Sequence, residues 1–386
     1  MNELENFLAN KPLYYKEIDY ERFPSIWDKY KEAFLLPKII HIVGTNAKGS
    51  TGRFLAHYLY KQGLNVGHYT SPHVLNFNER IWQNAKNVDN KILNEHHIRL
   101  QLILEKEDSD KLSYFEYATL LAISVLQRND FIILEAGLGG EYDATSVFDN
   151  DLTLVTPIGL DHQSFLGETL EKIAKTKLKA VRKFAILGKQ DRIVYKLAKE
   201  LSRKDNIEFF RYGYFFTKDE IAKSKRVIKS LNLPGFFSDN LLLAMAAAKF
   251  FGFEIKWRML EDVKLFARAQ KIRSNITIDV GHNPMAACAL AKSFKERKVV
   301  LVYNSFSDKD YIQILEILKP IIKRVEILPI YNQRVENRDQ IEKALLSLDI
   351  EYRDFVECNE SEEYLVFGSF AVVEEFLKHH VPKAKI

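Results

Sequence analysis

The stretch Lys38-Ile39-Ile40-His41-Ile42-Val43-Gly44-Thr45-Asn46-Ala47-Lys48-Gly49-Ser50-Thr51 decides the fold. Its first six residues form an apolar run typical of a buried strand. They pass without a break into a loop of small residues carrying one lysine, and Gly52–Lys61 beyond has a helical pattern. Strand, small-residue loop and helix make a phosphate cradle. Backbone N–H groups and the helix N-terminus face the anion, and Lys48 adds a mobile positive charge. The competing reading is a surface turn before an N-capped helix. The general G-x-x-x-x-G-K-[ST] pattern is not met, because Ala47 precedes the lysine and Gly49 follows it.

Outward from this stretch, Phe131–Glu135, Leu152–Thr156 and Phe184–Leu187 also read as buried strands separated by helix-length segments. This predicts a mainly parallel sheet with both faces covered. The pattern restarts with Asn275–Val280, Lys298–Tyr303, Arg324–Leu328 and Tyr364–Phe367. Helical segments alternate with these at Pro284–Glu296, Asp308–Leu318, Arg338–Leu348 and Ser369–His380. The expectation is an α/β chain with a P-loop-containing ATPase domain over 1–265, followed by a smaller Rossmann-like domain over 266–386. A length of 386 residues suits two domains at ~100–200 residues each. One or two helices are expected within Met1–Pro37.

Composition narrows the classes. Hydrophobic content of 47% and charged content of 28% describe a soluble globular chain. Cys288 and Cys358 stand too far apart to suggest a disulfide framework or zinc site, which points to a reducing compartment. The N-terminal residues resemble no signal peptide, and no apolar run reaches the ~18 residues of a membrane span. A cytoplasmic protein is expected. The net charge of +4 is scattered among acids and suits anionic small molecules, so no nucleic-acid partner is inferred.

Several further blocks bear on chemistry. They are Thr70-Ser71-Pro72-His73 with Phe77-Asn78-Glu79-Arg80-Ile81, and Glu135-Ala136-Gly137-Leu138-Gly139-Gly140 with Asp143-Ala144-Thr145. Gly159-Leu160-Asp161-His162 and Asp279-Val280-Gly281-His282-Asn283-Pro284 follow, with Asp308-Lys309-Asp310 and Gly368-Ser369 beyond. Each has a plain structural reading. Ser71 precedes a proline in a turn, Glu135 ends a strand, His162 at the end of another strand suits a hydrogen-bonded loop histidine, and Asn240 stands near a helix start. Together with the phosphate loop, these blocks resemble the folylpolyglutamate synthase and dihydrofolate synthase family of the Mur ligase superfamily, in order from residue 44 to 369. Ala47 departs from that family's loop, where glycine stands.

The resemblance implies an ATP-dependent ligase that joins L-glutamate to dihydropteroate or a reduced folate through an acyl-phosphate. It implies ATP contacts from Thr45, Asn46, Ala47, Lys48, Gly49, Ser50, Thr51, Asn240, Arg268 and Asp279. Ser71, Glu135 and His162 are implied for one or two Mg²⁺ ions, with Lys177 as a further ligand if carbamylated. Catalytic roles fall to Lys48, His162, Lys177 and His282. Phe77, Arg80 and His282 are implied on the substrate side, and a monomer is expected. If the two domains share the nucleotide, their closure would keep water from the acyl-phosphate. Lys177 alone reads as one lysine of a solvated helix face, and His96, His97, His379 and His380 as surface residues. Two rival readings are a paralogue that binds nucleotide or folate without efficient catalysis, and a peptidoglycan-type ligase. The phosphate loop at residue 44 leaves little room for the extra N-terminal domain of the latter.

Overall fold

A computed structural model describes residues 3–12, 19–295 and 297–381. The chain divides into two compact units, each built from separated stretches. The first comprises Met1–Ile158, Glu168–Ala222 and Asp239–Val263, and the second Gly159–Gly167, Lys223–Ser238 and Lys264–Ile386.

The first unit is organised on a sheet of β1 (Lys38–Val43), β2 (Val66–Tyr69), β3 (Ile81–Gln83), β4 (Lys86–Asn87), β5 (Phe131–Glu135), β6 (Leu152–Val155), β7 (Phe184–Leu187) and β8 (Glu208–Arg211). Their order is β4-β3-β2-β5-β1-β6-β7-β8. All pairings from β2 through β8 are parallel, while β3 and β4 pair antiparallel at one edge. The apolar run of β1 has this cause: it lies between β5 and β6, and Ile39 to Val43 are all buried. Two N-terminal helices, Glu3–Ala9 and Arg22–Tyr30, add Leu4, Leu8, Phe23, Ile26 and Trp27 to the core.

The second unit carries β9 (Gln270–Arg273), β10 (Ile276–Ile278), β11 (Val299–Tyr303), β12 (Ile322–Ile327), β13 (Tyr352–Asp354) and β14 (Tyr364–Phe367). They are ordered β13-β12-β11-β14-β10-β9, parallel except for β9. Helices Pro284–Ser293, Tyr311–Leu318, Arg338–Ser347 and Phe370–His380 alternate with these strands. The expected end of the first of them at Glu296 lies outside the described residues.

One core residue gives the first unit a pH dependence. His41, fully buried on β1, shares a 2.8 Å hydrogen bond with Thr145 Oγ1, whose own hydrogen goes to Asp143 Oδ1 at 2.6 Å. His41 therefore donates from Nε2, and its buried Nδ1 has no hydrogen-bond partner among the described residues. Burial, with a lesser push from Arg182, drives its pKa down to about 3 from 6.5. A depressed histidine pKa contributes stability that is complete above the unfolded value. That stability drains as pH falls from 6.5 toward 3, at about 1.4 kcal/mol per pH unit. Wild type should lose stability between pH 6.5 and 5 more steeply than His41→Gln. Parallel denaturation slopes for the two proteins would refute this.

Candidate active site

The phosphate loop leaves β1 at Gly44, where φ is +145° and an added Cβ would lie 2.0 Å from Thr156 Oγ1. Only glycine fits there. The amides of Thr45 and Asn46 donate to Pro157 O at 3.0 and 3.3 Å, holding the loop against the segment after β6. Ala47 caps helix Lys48–Lys61 with φ +70° and ψ 0°, a left-handed conformation. The amides of Lys48, Gly49 and Ser50 fall in the first helical turn, where no intrahelical acceptor exists, and they form the anion-facing end of the loop. Thr51 belongs to the interior instead: it is fully buried, and its amide bonds Ala47 O at 2.9 Å. Ser50 Oγ donates to Ala47 O at 3.1 Å and accepts from Asn240 Nδ2 at 3.0 Å, which places the buried Asn240 beneath the loop.

Glycine adopts the Ala47 backbone conformation without the Cβ penalty of about 1 kcal/mol. Ala47→Gly should therefore raise the first unit's stability by somewhat less than that, because glycine also loosens the unfolded chain. It should tighten ATP binding as well. Chemical denaturation and nucleotide titration check both, and a destabilised variant would show that Ala47 is unstrained.

Parallel register brings a second element to the same end of the sheet. Ile42 of β1 is level with Glu135 of β5, and Tyr69 of β2 with Leu134, so Thr70 follows beside Glu135. Thr70 Oγ1 donates to the buried Glu135 carboxylate. Ser71 comes next, joined to Pro72 by a cis peptide. The glycine-rich loop after Glu135 is pinned by Asp143, which accepts from Leu138 N at 2.7 Å and from Thr145 N at 2.9 Å. Gly140 presses on helix Leu170–Leu178, since a Cβ there would lie 2.8 Å from Lys177 Cα. Lys177 is buried, not on a solvated face, and its Nζ donates to Gly44 O at 2.9 Å and Gly139 O at 3.5 Å. It ties the phosphate loop to the glycine-rich loop.

Among the described residues no three His, Cys, Asp or Glu side chains form a ready metal cage. The hydroxyl of Ser71 and the carboxylate of Glu135 are hard oxygen donors. They suit a Mg²⁺ ion whose remaining ligands come from phosphate oxygens and water.

The Phe77–Arg80 turn is shaped by Glu79, whose carboxylate accepts from the amides of Val74, Leu75 and Asn76 at 2.8–2.9 Å. Arg80 is buried, with Nε donating to His73 Nδ1 at 2.8 Å. Its guanidinium lies 5.9 Å from the Phe77 ring and 5.2 Å from that of Tyr114.

In the second unit three sequence blocks converge on one carboxylate. Asp161 pairs with Lys309 Nζ at 2.7 Å, both side chains being less than one-tenth exposed. It also accepts from Asn283 Nδ2 at 3.1 Å and lies 3.5 Å from His282 Nε2. Burial raises its carboxyl, but the hydrogen bond to His282 and the charges of His162, His282 and Lys309 outweigh it and hold the carboxyl far below the usual range. His282 is fixed from its other nitrogen, Nδ1, by Val280 O at 3.1 Å. His162 does not end a strand. It lies in a loop seven residues beyond Val155, with φ +52°, and caps the short helix Gln163–Leu166. Asp279 accepts from Ala269 N and Gly281 N, both at 2.7 Å, and so shapes the loop that carries Arg268. Ala267 and Ala269 flank Arg268 with φ of +53° and +45°, and the guanidinium sits 5.2 Å from the Phe370 ring.

Along 94% of its length the chain is 30% identical to a dihydrofolate synthase/folylpolyglutamate synthase of Haemophilus influenzae, covering 94% of that protein. The chain belongs to the dihydrofolate synthase/folylpolyglutamate synthase family. A crystal structure of Helicobacter pylori folylpolyglutamate synthetase is 39% identical, with 98% of each chain covered and a TM-score of 0.79. A bifunctional folylpolyglutamate synthase/dihydrofolate synthase from Yersinia pestis, complexed with AMPPNP and Mn ion, shares the fold. It matches at 24% identity with a TM-score of 0.83, covering 97% of this chain and 96% of its own. No family model matches the chain.

Two features of this family member escaped the reading of its sequence. Asp161 and Lys309 both lie inside recognised blocks, but only their pairing in space makes them a buried hub. His97 is interior, not a surface residue: it packs against Phe7 and Tyr117 and shares a 2.7 Å hydrogen bond with the Tyr117 hydroxyl. Its spacing in helix Asn90–Ile103, four residues from Leu93 and three from Leu100, was the available signal.

Proposed function

We propose that this chain is an ATP-dependent ligase that joins L-glutamate to dihydropteroate or a reduced folate. The observation that carries the reading is the phosphate loop with Lys48 at the same sheet end as Glu135, in a chain of this family. In the first step a substrate carboxylate oxygen bonds to the γ-phosphorus of ATP as the β–γ bridging bond breaks, and ADP leaves. In the second step the glutamate amine attacks the acyl carbon, phosphate departs, and the nitrogen loses a proton.

Lys48 and the first-turn amides hold the outer phosphates and offset their charge. Ser71 and Glu135 would hold Mg²⁺, with His162 and carbamylated Lys177 as further candidates. The bound ion supplies charge neutralisation at the phosphate oxygens. Asn240, Arg268 and Asp279 are assigned to the nucleotide, Phe77 and Arg80 to the acceptor, and His282 to the incoming glutamate. We take the protein to act as a cytoplasmic monomer on small molecules, without nucleic acid. No described helix is long and apolar enough to cross a membrane.

The test is phosphate release from Mg-ATP and L-glutamate with 7,8-dihydropteroate or tetrahydrofolate as acceptor. Glutamate-dependent turnover establishes the ligase, and the preferred acceptor defines its step. The left-handed Ala47 favours one alternative, a paralogue that binds nucleotide with little catalysis. Tight ATP binding without turnover on either acceptor would select it.

A further inference from the structure

Arg53 lies on the helix that follows the phosphate loop, on the side facing the β2–β3 edge. Gly52 beside it leaves room for His68, whose Nε2 would lie 2.3 Å from a Cβ at that position. His68 is level with Trp82 across the β2–β3 pair, and the Arg53 guanidinium carbon lies 4.7 Å from the Trp82 ring centroid. Stacking occupies one face of the guanidinium but leaves its in-plane N–H donors unmatched. Arg53 has no hydrogen bond or ion pair with another described residue. His68 cannot serve as counter-ion, and Glu135 acts on Arg53 only through its field. Burial pushes the guanidinium down to about 9. The residue is only partly buried, so the stacked guanidinium is held in place with its N–H donors open to an anion that a ligand would bring.

Resting on the ligase reading above, we propose that Arg53, stacked on Trp82, binds a carboxylate of the acceptor substrate in a bidentate pair. The planar fork of its N–H groups matches that ion. A phosphate of ATP is the poorer occupant. Arg53 comes five residues after Lys48, which places it about 140° around the helix and about 7.5 Å along its axis. The two side chains leave the helix on different faces. Arg53 instead faces the strand that leads to Thr70 and Ser71, next to Glu135.

The test uses the full chain with Arg53→Gln and Arg53→Lys, and three ligands titrated separately. These are the acceptor preferred by wild type, the same acceptor with its reacting carboxylate converted to a carboxamide, and Mg-ATP. Arg53→Gln should weaken the carboxylate acceptor about 10- to 100-fold, leaving carboxamide and Mg-ATP affinities within about twofold of wild type. Arg53→Lys, which keeps the charge but not the fork, should fall between. Melting temperatures of both variants should stay close to that of wild type, because the partly exposed guanidinium bonds no other described residue; a purely structural arginine would lower them. Unchanged acceptor affinity, an equal loss with the carboxamide, or a loss confined to Mg-ATP would each overturn the inference and leave the ligase reading intact. A wild-type protein that binds neither dihydropteroate nor tetrahydrofolate would overturn both.

Discussion

Replacing Lys48 with alanine should reduce phosphate release from Mg-ATP by about 10²-fold or more, with little change in stability. Among the described residues Lys48 Nζ reaches only Gly44 O and Thr45 O, at 3.4 and 3.3 Å, which are long and weak contacts. Its charge is engaged by no carboxylate among the described residues, so the folded protein gives up little when it is removed. A bound triphosphate would lose its one mobile cation at the loop. The variant should therefore melt within a degree or two of wild type, the loss appearing in kcat more than in the acceptor KM. Single-turnover phosphate release, with melting curves on the same samples, separates the two effects. A variant turning over at close to the wild-type rate would remove Lys48 from the chemistry and leave the first-turn amides as the main phosphate ligands.

The second large effect is expected at Asp161. Asp161→Ala leaves Lys309 buried with no charge partner of comparable closeness, and such a break typically costs about 3–5 kcal/mol. Asp308 lies 3.6 Å from the same Nζ but bonds Arg334 at 2.7 and 2.9 Å, so it offsets only part of the loss. The sign with pH follows from the depressed carboxyl. Its contribution is complete above the ordinary aspartate value of 3.8 and drains as pH falls below that. The wild-type advantage over Asp161→Ala should accordingly shrink as pH falls below that value. Adding Lys309→Met to Asp161→Ala should restore part of the lost stability, since the stranded charge leaves with it. Urea denaturation of wild type, the two single variants Asp161→Ala and Lys309→Met, and the double variant gives the coupling directly. Additive effects of the two substitutions would mean that the pair contributes nothing as a pair.

What could be read from the chain follows from how each residue is used. The apolar runs of β1, β5 and β7 were legible to the residue because burial on both faces fills them almost wholly with apolar side chains, the buried His41 and Glu135 excepted. The short strands β4, β9 and β13 at sheet edges and β3 beside β4 were not, being two to four residues long and partly exposed. β2 was hidden for another reason. It contains Gly67, where a Cβ would meet Leu126 at 2.7 Å, and His68, so close packing and a buried imidazole mask its strand character. Blocks of local motif indicated which segments matter but not which atoms are already bonded. The resemblance implied Asp279 as an ATP contact, and the structure gives both of its oxygens to backbone amides. Asn240 likewise donates to Ser50. Such assignments depend on approaches between residues 10 to 190 positions apart, which no spacing rule contains.

The split make-up of the second unit has a bearing on how the protein is synthesised. Lys309 finds its counter-ion on Gly159–Gly167, a stretch made some 150 residues earlier and flanked on both sides by chain of the first unit. A nascent chain that has emerged only through Ala222 holds Asp161 with no Lys309 to pair with. A protein begun at Lys264 would bury that lysine with nothing from Gly159–Gly167 to receive it. The smaller unit is therefore a poor candidate for a freely transferable module, and gene fusions or splits placed near residue 264 would sever an electrostatic bond that the linear order of the gene conceals.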